Sequence, residues 1–302
     1  MRSIFDTRQV RRAFSRSACN YTSAASLQRE IESRLLDSLD YLDDPALQRA
    51  APTLVVDLGS GPGHASHAMC TRWPQAQVLA LDLALPMLRQ AQHMGSATGD
   101  RAPLTCICAD ARALPLAEGT VDVLFSNLCL QWLDDLPTVL AGFRRVMRPG
   151  GLLLASTFGR GTLSELRTAF AQADAVAHVS PFATMAEIGD ALIQAGFRDP
   201  VLDRDVFVHT HQDLPELMRS LRALGATNAL HARRHTLTGK ARFAAAASAY
   251  QRMRGNNGLL PASWEAIYVQ AWAPAPGAPI RKAGLEIAAM PVAQIPIRRR
   301  SR

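Results

Sequence analysis

Residues 55–64 read VVDLGSGPGH, an apolar run closing on Asp57 and followed by Gly59, Gly61 and Gly63. Glycines so placed let a bound molecule come closer to the backbone than side chains would allow. A dinucleotide fingerprint asks for G-x-G-x-x-G, and a P-loop asks for Lys before Ser or Thr after the last glycine. Position 64 is His, and no such Lys pair follows, so both phosphate-cradling readings fail. Asp82 closes the next apolar run, 21 residues past Gly61, where a carboxylate can accept hydrogen bonds from both ribose hydroxyls. Asp110 closes the third run, and Asn127 closes the fourth. Leu83, Met87 and Ala111 follow these ends and complete the candidate cofactor site. No nucleophile-base triad, carboxylate pair or metal-ligand spacing accompanies them, and His64, His67 and His93 are read as ordinary side chains.

The elements that must position these residues are short apolar, β-branched runs at TLVVDL, QVLALDL (77–83), LTCICAD (104–110), VDVLFSN (121–127) and GLLLASTF (151–158). Helical stretches such as 86–94 and 136–147 separate them, the alternation of a parallel sheet covered by helices. Upstream, Leu27, Ile31, Leu35 and Leu39 recur every four residues and predict an amphipathic helix. Downstream, Thr162 with Glu165 and Thr184 with Glu187 have the spacing of capping boxes. A strand at 201–209, helices at 213–224 and 239–254, and a last strand at 263–272 complete the reading.

The G-x-G-x-G loop behind an acidic strand end resembles that of S-adenosylmethionine-dependent methyltransferases with a Rossmann-like sheet. That ligand has no pyrophosphate, so the glycines make room for its amino-acid end and nearby acids can meet its ammonium. The segments AFSRSACNY with the later LQ, SNLCLQWLDDLP, FRRVMRPGG and MRSLRALGATN narrow the resemblance to the malonyl-[acyl-carrier protein] O-methyltransferases of biotin synthesis, over about residues 5–230. It implies an α/β fold of class I, with a mostly parallel seven-stranded sheet, helices on both faces and helical insertions. It also implies S-adenosylmethionine as methyl donor and malonyl on a small acidic carrier protein, or on coenzyme A, as acceptor. HVSPFATMAEIGDALIQAGF and the stretch around SWEAIYVQAW are similar instead to methyltransferase-like assembly factors of respiratory complex I, which act on protein arginine or assist assembly.

For a malonyl acceptor no general base is required, because a carboxyl of pKa about 4 is ionised at neutral pH. An anion attacking a sulfonium loses charge along the path, so a dry cavity that aligns the partners is the main need. Leu128, Leu130 and Trp132 are candidates for its wall. Tyr21, ahead of the first helix, and Arg219, between the last two strands, lie in the less generic segments of the resemblance and are on that ground the candidates to clamp the malonyl carboxylate, which an Arg can grip with two parallel hydrogen bonds.

Composition bounds the rest. Apolar residues make up 48% and charged residues 20% of 302, and no stretch approaches the ~20 apolar residues of a membrane span. The formal charge is +7, yet residues 1–30 carry six Arg against Asp6 and Glu30, and 274–302 carry five Arg and Lys282 against Glu286. Those ends account for +4 and +5, leaving 31–273 at −2. Basic ends on a near-neutral body suit an acidic protein partner better than nucleic acid. Five cysteines without a CxxC pair read as buried thiols of a reducing compartment, and a cytoplasmic protein is expected. The expected organisation is an N-terminal helical substrate or lid segment over 1–42, a methyltransferase domain over 43–273 with insertions near 160–183 and 210–262, and a disordered basic tail over 274–302.

Overall fold

A computed structural model describes residues 3–43, 50–96, 104–236, 238–275, 280–282 and 285–287. Two helices open the chain, α1 (Thr7–Ala24) and α2 (Ser26–Asp37), and a 3-10 turn over Ser38–Asp43 follows. Then come β1 (Leu54–Leu58), α3 (His64–Arg72), β2 (Gln77–Asp82), α4 (Leu85–Ser96), β3 (Thr105–Cys108), β4 (Val121–Ser126), α5 (Leu136–Val146) and β5 (Met147–Phe158). The second half adds α6 (Ser164–Ala171), α7 (Met185–Gln194), β6 (Arg198–His211), α8 (Leu214–Ala223), α9 (Lys240–Gln251) and β7 (Leu260–Trp272). A short antiparallel pair, β8 (Ile280–Lys282) with β9 (Leu285–Ile287), lies within the tail that was expected to be disordered. Residues 44–49, 276–279, 283–284 and 288–302 fall outside the described residues.

The sheet order is β3-β2-β1-β4-β5-β7-β6, parallel throughout except for β7, which runs against both of its neighbours. Strands β1 and β4 are buried along nearly their whole length, which is why they read as continuous apolar runs. The order reverses between β1 and β4, and open α/β sheets bind ligands in the crevice at such a switch, beyond the carboxyl ends of the strands. One sheet face packs on Leu140 and Phe143 of α5 and Ile188 and Leu192 of α7, the other on Met69 of α3, Leu88 of α4 and Leu35 of α2. A separate apolar cluster joins Leu27 and Ile31 of α2 to Phe170 of α6, Leu217 of α8, Tyr250 of α9 and Trp264 of β7.

Helix α1 corrects the expectation that Tyr21 precedes the first helix. Asp6 caps it, its side chain accepting from the Gln9 N–H at 3.1 Å. Its inward stripe is Val10, Phe14, Ser17, Ala18 and Tyr21, in which two small residues interrupt the apolar period that a sequence reading follows. The box at Thr184 and Glu187 forms as expected. At α6 it does not: Leu163 occupies the cap position with φ 51° and no side-chain cap. Glu165 bonds the Ser263 backbone N–H and hydroxyl, and the Thr162 hydroxyl bonds the Glu265 backbone, so both are diverted to β7.

Candidate functional site

The glycine loop is held down by Gly59 N–H and Ser60 N–H donating to Leu81 O at 2.8 and 3.0 Å, and by Gly61 N–H donating to Asp82 Oδ2 at 2.9 Å. All three glycines have positive φ, but the space around them differs. A Cβ on Gly59 would lie 2.7 Å from Cys129 Cβ, and one on Gly63 would lie 2.6 Å from Ala91 Cβ. At Gly61 it would meet only Tyr21 Cε1, at 3.9 Å. Gly61 therefore borders open space, whereas Gly63 is a packing glycine that lines no described cavity.

Two small cavities flank this loop. The first, of about 100 Å³, is lined by Gly59, Gly61, Asp82, Leu83, Met87, Asp110, Ala111 and Asn127, and α1 covers it with Thr7, Val10, Phe14 and Tyr21. Asp82 Oδ1 also accepts from the Ala84 N–H at 2.7 Å, which fixes the carboxylate's plane. Asp110 is gripped by the Arg112 guanidinium, which holds it below the ordinary carboxyl range, and Arg112 reaches on to the Thr7 hydroxyl of α1. Asn127 is clamped between its Nδ2 donation to Gln28 O at 3.1 Å and the Ser156 hydroxyl, which donates to its Oδ1 at 2.6 Å.

The second cavity, of about 30 Å³, lies on the other side of the loop against α2. Asp57 lines it, 2% exposed, with the Ser66 hydroxyl donating to its Oδ2 at 2.5 Å. Burial pushes Asp57 up to about 7, and burial followed by the Asp57 charge pushes Glu32 up to about 8. Gln28 Oε1, Ser60 Oγ and His64 Nε2 are buried around it without a hydrogen-bond partner among the described residues, and burial and then the Arg29 charge depress His64. Buried polar atoms left unpaired are costly, so their convergence marks a place for a polar ligand.

A third cavity of about 580 Å³ meets the first at Phe14, Tyr21, Leu128 and Trp132. Its walls combine apolar side chains, Phe158, Leu166, Phe170, Phe182 and Trp264 among them, with polar ones such as Gln131, His178 and Asn228. Leu128 takes φ 51°, an unusual backbone for a branched residue, held by its N–H donating to Ser156 O and Oγ. Trp132 stands edge-on to Phe14, with ring centroids 5.3 Å apart. Leu130 is instead a core residue, 3% exposed, which corrects its assignment to this wall.

The positive charges at this cavity are not those anticipated. Arg219 is exposed and lines no described cavity, so Tyr21 and Arg219 are not brought together. The buried stripe of α8 is Leu214, Leu217 and Leu221; Met218 and Arg222, four apart, border it on the cavity side, and Arg219 falls on the far side. Arg233 pairs with Asp6 at 2.9 Å, and Arg234 pairs with Asp174 at 3.0 Å, which leaves Arg222 as the cavity guanidinium without an ion pair among the described residues. His178 stacks on Phe170 and faces Asp174, which the Val176 N–H and then Arg234 hold down at about 2. Trp264 Nε1 and Thr227 Oγ1 are buried without a hydrogen-bond partner among the described residues.

A family model described as a methyltransferase domain matches residues 56–155. The malonyl-[acyl-carrier protein] O-methyltransferase of Xylella fastidiosa is 57% identical over 301 residues, covering 100% of this chain and 99% of its own. That of Gallionella capsiferriformans is 39% identical, over 94% and 98%. The chain belongs to the malonyl-[acyl-carrier protein] O-methyltransferase family. Because the first match runs the whole length, it includes the stretches that resembled complex I assembly factors, and that alternative is not favoured. The fold is shared more widely. The YcgJ protein of Bacillus subtilis superposes with TM-score 0.56 at 14% identity, over 80% of this chain and 99% of its own. A methyltransferase-like protein of Bacillus halodurans gives 0.52 at 15%, over 79% and 99%.

Within this family frame, the residues missed from the sequence are Gln28, Glu32 and Arg112 beside the loop and Arg222, Thr227 and Trp264 in the larger cavity. Gln28 is the second residue of the quoted LQ, Glu32 sits on a helix face that carried no motif, and Arg112 lies two residues past the strand end at Asp110. Arg222 is in the quoted family segment, three residues past the Arg chosen. Among the described residues the five cysteines form no disulfide, and Cys19 and Cys108 are exposed rather than buried. Among the described residues, no group of three or more metal-ligating side chains is present, and no helix is long and apolar enough to cross a membrane.

Proposed function

We propose that the protein transfers a methyl group from S-adenosylmethionine to the free carboxylate of a malonyl thioester carried on acyl carrier protein. The observation that carries the reading is the junction of two cavities at Tyr21, Leu128 and Trp132. One is built on the strand ends with Asp82 and Asp110; the other is walled by Phe158, Phe170 and Phe182 and holds Arg222, which has no ion pair among the described residues. The residues at the loop fit the methyl donor. Asp82 would take the ribose hydroxyls, Asp110 the adenine amino group, and Leu83, Met87 and Ala111 the adenine faces. Asp57 and Glu32 would meet the ammonium, with His64, Ser60 and Gln28 satisfied by the amino-acid end. The donor supplies an electrophilic methyl on a sulfonium.

The chain's own contribution is then alignment and exclusion of water. Arg222 would hold the malonyl carboxylate, and the Trp264 indole N–H would hold an acyl oxygen. Burial keeps the Tyr21 hydroxyl protonated, so it acts as a neutral donor at the junction. Since the acceptor is already an anion, no proton has to be removed, and the apolar wall favours the charge-losing step. We assign the substrate cover to α1 and to the insertions around α6 and α8–α9, on a methyltransferase domain that ends with β7. The test is incubation with methyl-labelled S-adenosylmethionine and malonyl-carrier. The expected product is a methyl ester cleaved by mild base, with S-adenosylhomocysteine in equal amount. Label on protein arginine, or none on malonyl, would overturn the reading.

A further inference from the structure

Helix α1 holds four arginines, Arg8, Arg11, Arg12 and Arg16, and no acidic residue. Arg8, Arg12 and Arg16 recur every four residues and so share one face, opposite the inward stripe of Val10, Phe14 and Ala18. All four are exposed, and none has an ion pair among the described residues. Elsewhere some exposed arginines are matched, Arg34 with Glu30 and Asp205, Arg148 with Asp122 and Arg204 with Glu265. Among the described residues others, such as Arg89, Arg160 and Arg242, have no ion pair, and only α1 sets three unmatched arginines in one row. Like charges four apart on a helix repel, so an uncompensated row is a cost that an acidic partner would remove.

The row does not stand alone. Helix α8 packs beside α1, close enough that a Cβ on Gly225, just past its end, would lie 2.7 Å from Ser17 Oγ. On α8, Arg219 is exposed and unpaired among the described residues, and its neighbour Arg222 lines the larger cavity. Gln9 and Phe14 of α1 line the same cavity. Both helices that carry these outward arginines thus also line, with their other faces, the space assigned to the acyl group.

We infer that the outer faces of α1 and α8, through Arg8, Arg12, Arg16 and Arg219, are the docking surface for an acidic protein that delivers the thioester into the larger cavity. This rests on the proposed function and adds to it where the carrier sits. Nucleic acid fits less well, because the aromatic side chains of α1, Phe14 and Tyr21, face inward and none interleaves the arginines. Charges at the rim of such an interface act mainly on encounter and on salt dependence.

The experiment compares the full chain with a variant carrying Arg8→Gln, Arg12→Gln, Arg16→Gln and Arg219→Gln, whose fold is checked by circular dichroism. Each is assayed on malonyl-carrier and on malonyl-pantetheine, the same thioester without the protein. The expected result is a KM for malonyl-carrier raised roughly tenfold at low salt, with kcat nearly unchanged and no change on malonyl-pantetheine. The wild-type KM should rise steeply with salt and that of the variant should not. An unchanged carrier KM, an equal loss on both substrates, or a loss confined to binding of an oligonucleotide would overturn the docking surface and leave the proposed chemistry standing. Wild-type protein that methylates neither thioester would overturn the proposed function itself.

Discussion

The paired acids of the small polar cavity make opposite predictions for the free and the loaded protein. Burial raises Glu32 from 4.5 to about 8 and Asp57 from 3.8 to about 7. A carboxyl whose folded-state pKa is raised stabilises the fold below its unfolded value and loses that contribution as pH rises through the folded value. The free protein should therefore lose stability between about pH 5 and 8. At about 1.4 kcal/mol per unit, even a third of the Glu32 shift amounts to roughly 1.5 kcal/mol, or a fall in Tm of about 2 °C for a chain of this size. The ammonium of S-adenosylmethionine needs these groups ionised, so its affinity should climb over the same window, on the order of tenfold between pH 6 and 7.5. It should turn over above about pH 8, where an α-amino group itself loses its proton. Thermal unfolding and titration calorimetry across pH 5.5–8.5 would follow both trends, and Glu32→Gln should flatten each. Matching slopes in wild type and Glu32→Gln, or an affinity that falls steadily from pH 6 to 7.5, would refute the assignment of this cavity to the ammonium.

Other substitutions separate the parts of the site. Gly61→Ala should fold with only the strain of a positive φ, about 1 kcal/mol, whereas Gly63→Ala should destabilise more because its Cβ meets Ala91; urea midpoints give the order. Asp82→Ala should abolish measurable S-adenosylmethionine binding by calorimetry, since it removes a ribose acceptor and the anchor of Gly61 N–H together. Arg222→Ala should lower turnover of malonyl-pantetheine roughly tenfold or more with cofactor affinity intact, the scale of a lost charge-assisted bond of about 1.5–3 kcal/mol, while Arg219→Ala leaves that turnover unchanged. Asp6→Ala removes both the cap of α1 and the partner of Arg233, and amide exchange over residues 7–24 should quicken while the sheet stays protected.

The amino-acid sequence by itself determined the parallel strands, the glycine loop and the polar residues at four strand ends. These are local properties: a strand buried on both faces must be apolar along its length, and the residue that ends it must emerge at the sheet's edge. The order β3-β2-β1-β4 then brings Asp57, Asp82, Asp110 and Asn127 to one edge without any further information. What the tertiary structure decided is which face of each helix points where. Arg219 and Arg222 are both exposed and differ by three positions on α8, and only the docking of Leu214, Leu217 and Leu221 sets Arg222 at the cavity and Arg219 away from it. Tyr21 reaches the junction because α1, a helix whose inward side includes Ser17 and Ala18, lies across the strand ends. Glu165 had the spacing to cap α6 but found Ser263 of β7, 98 residues on, because a carboxylate bonds the donors that packing leaves nearest. The shifted acids Glu32 and Asp57 follow the same logic: their charge is set by how much water the assembled helices exclude, and no short stretch of sequence contains that quantity.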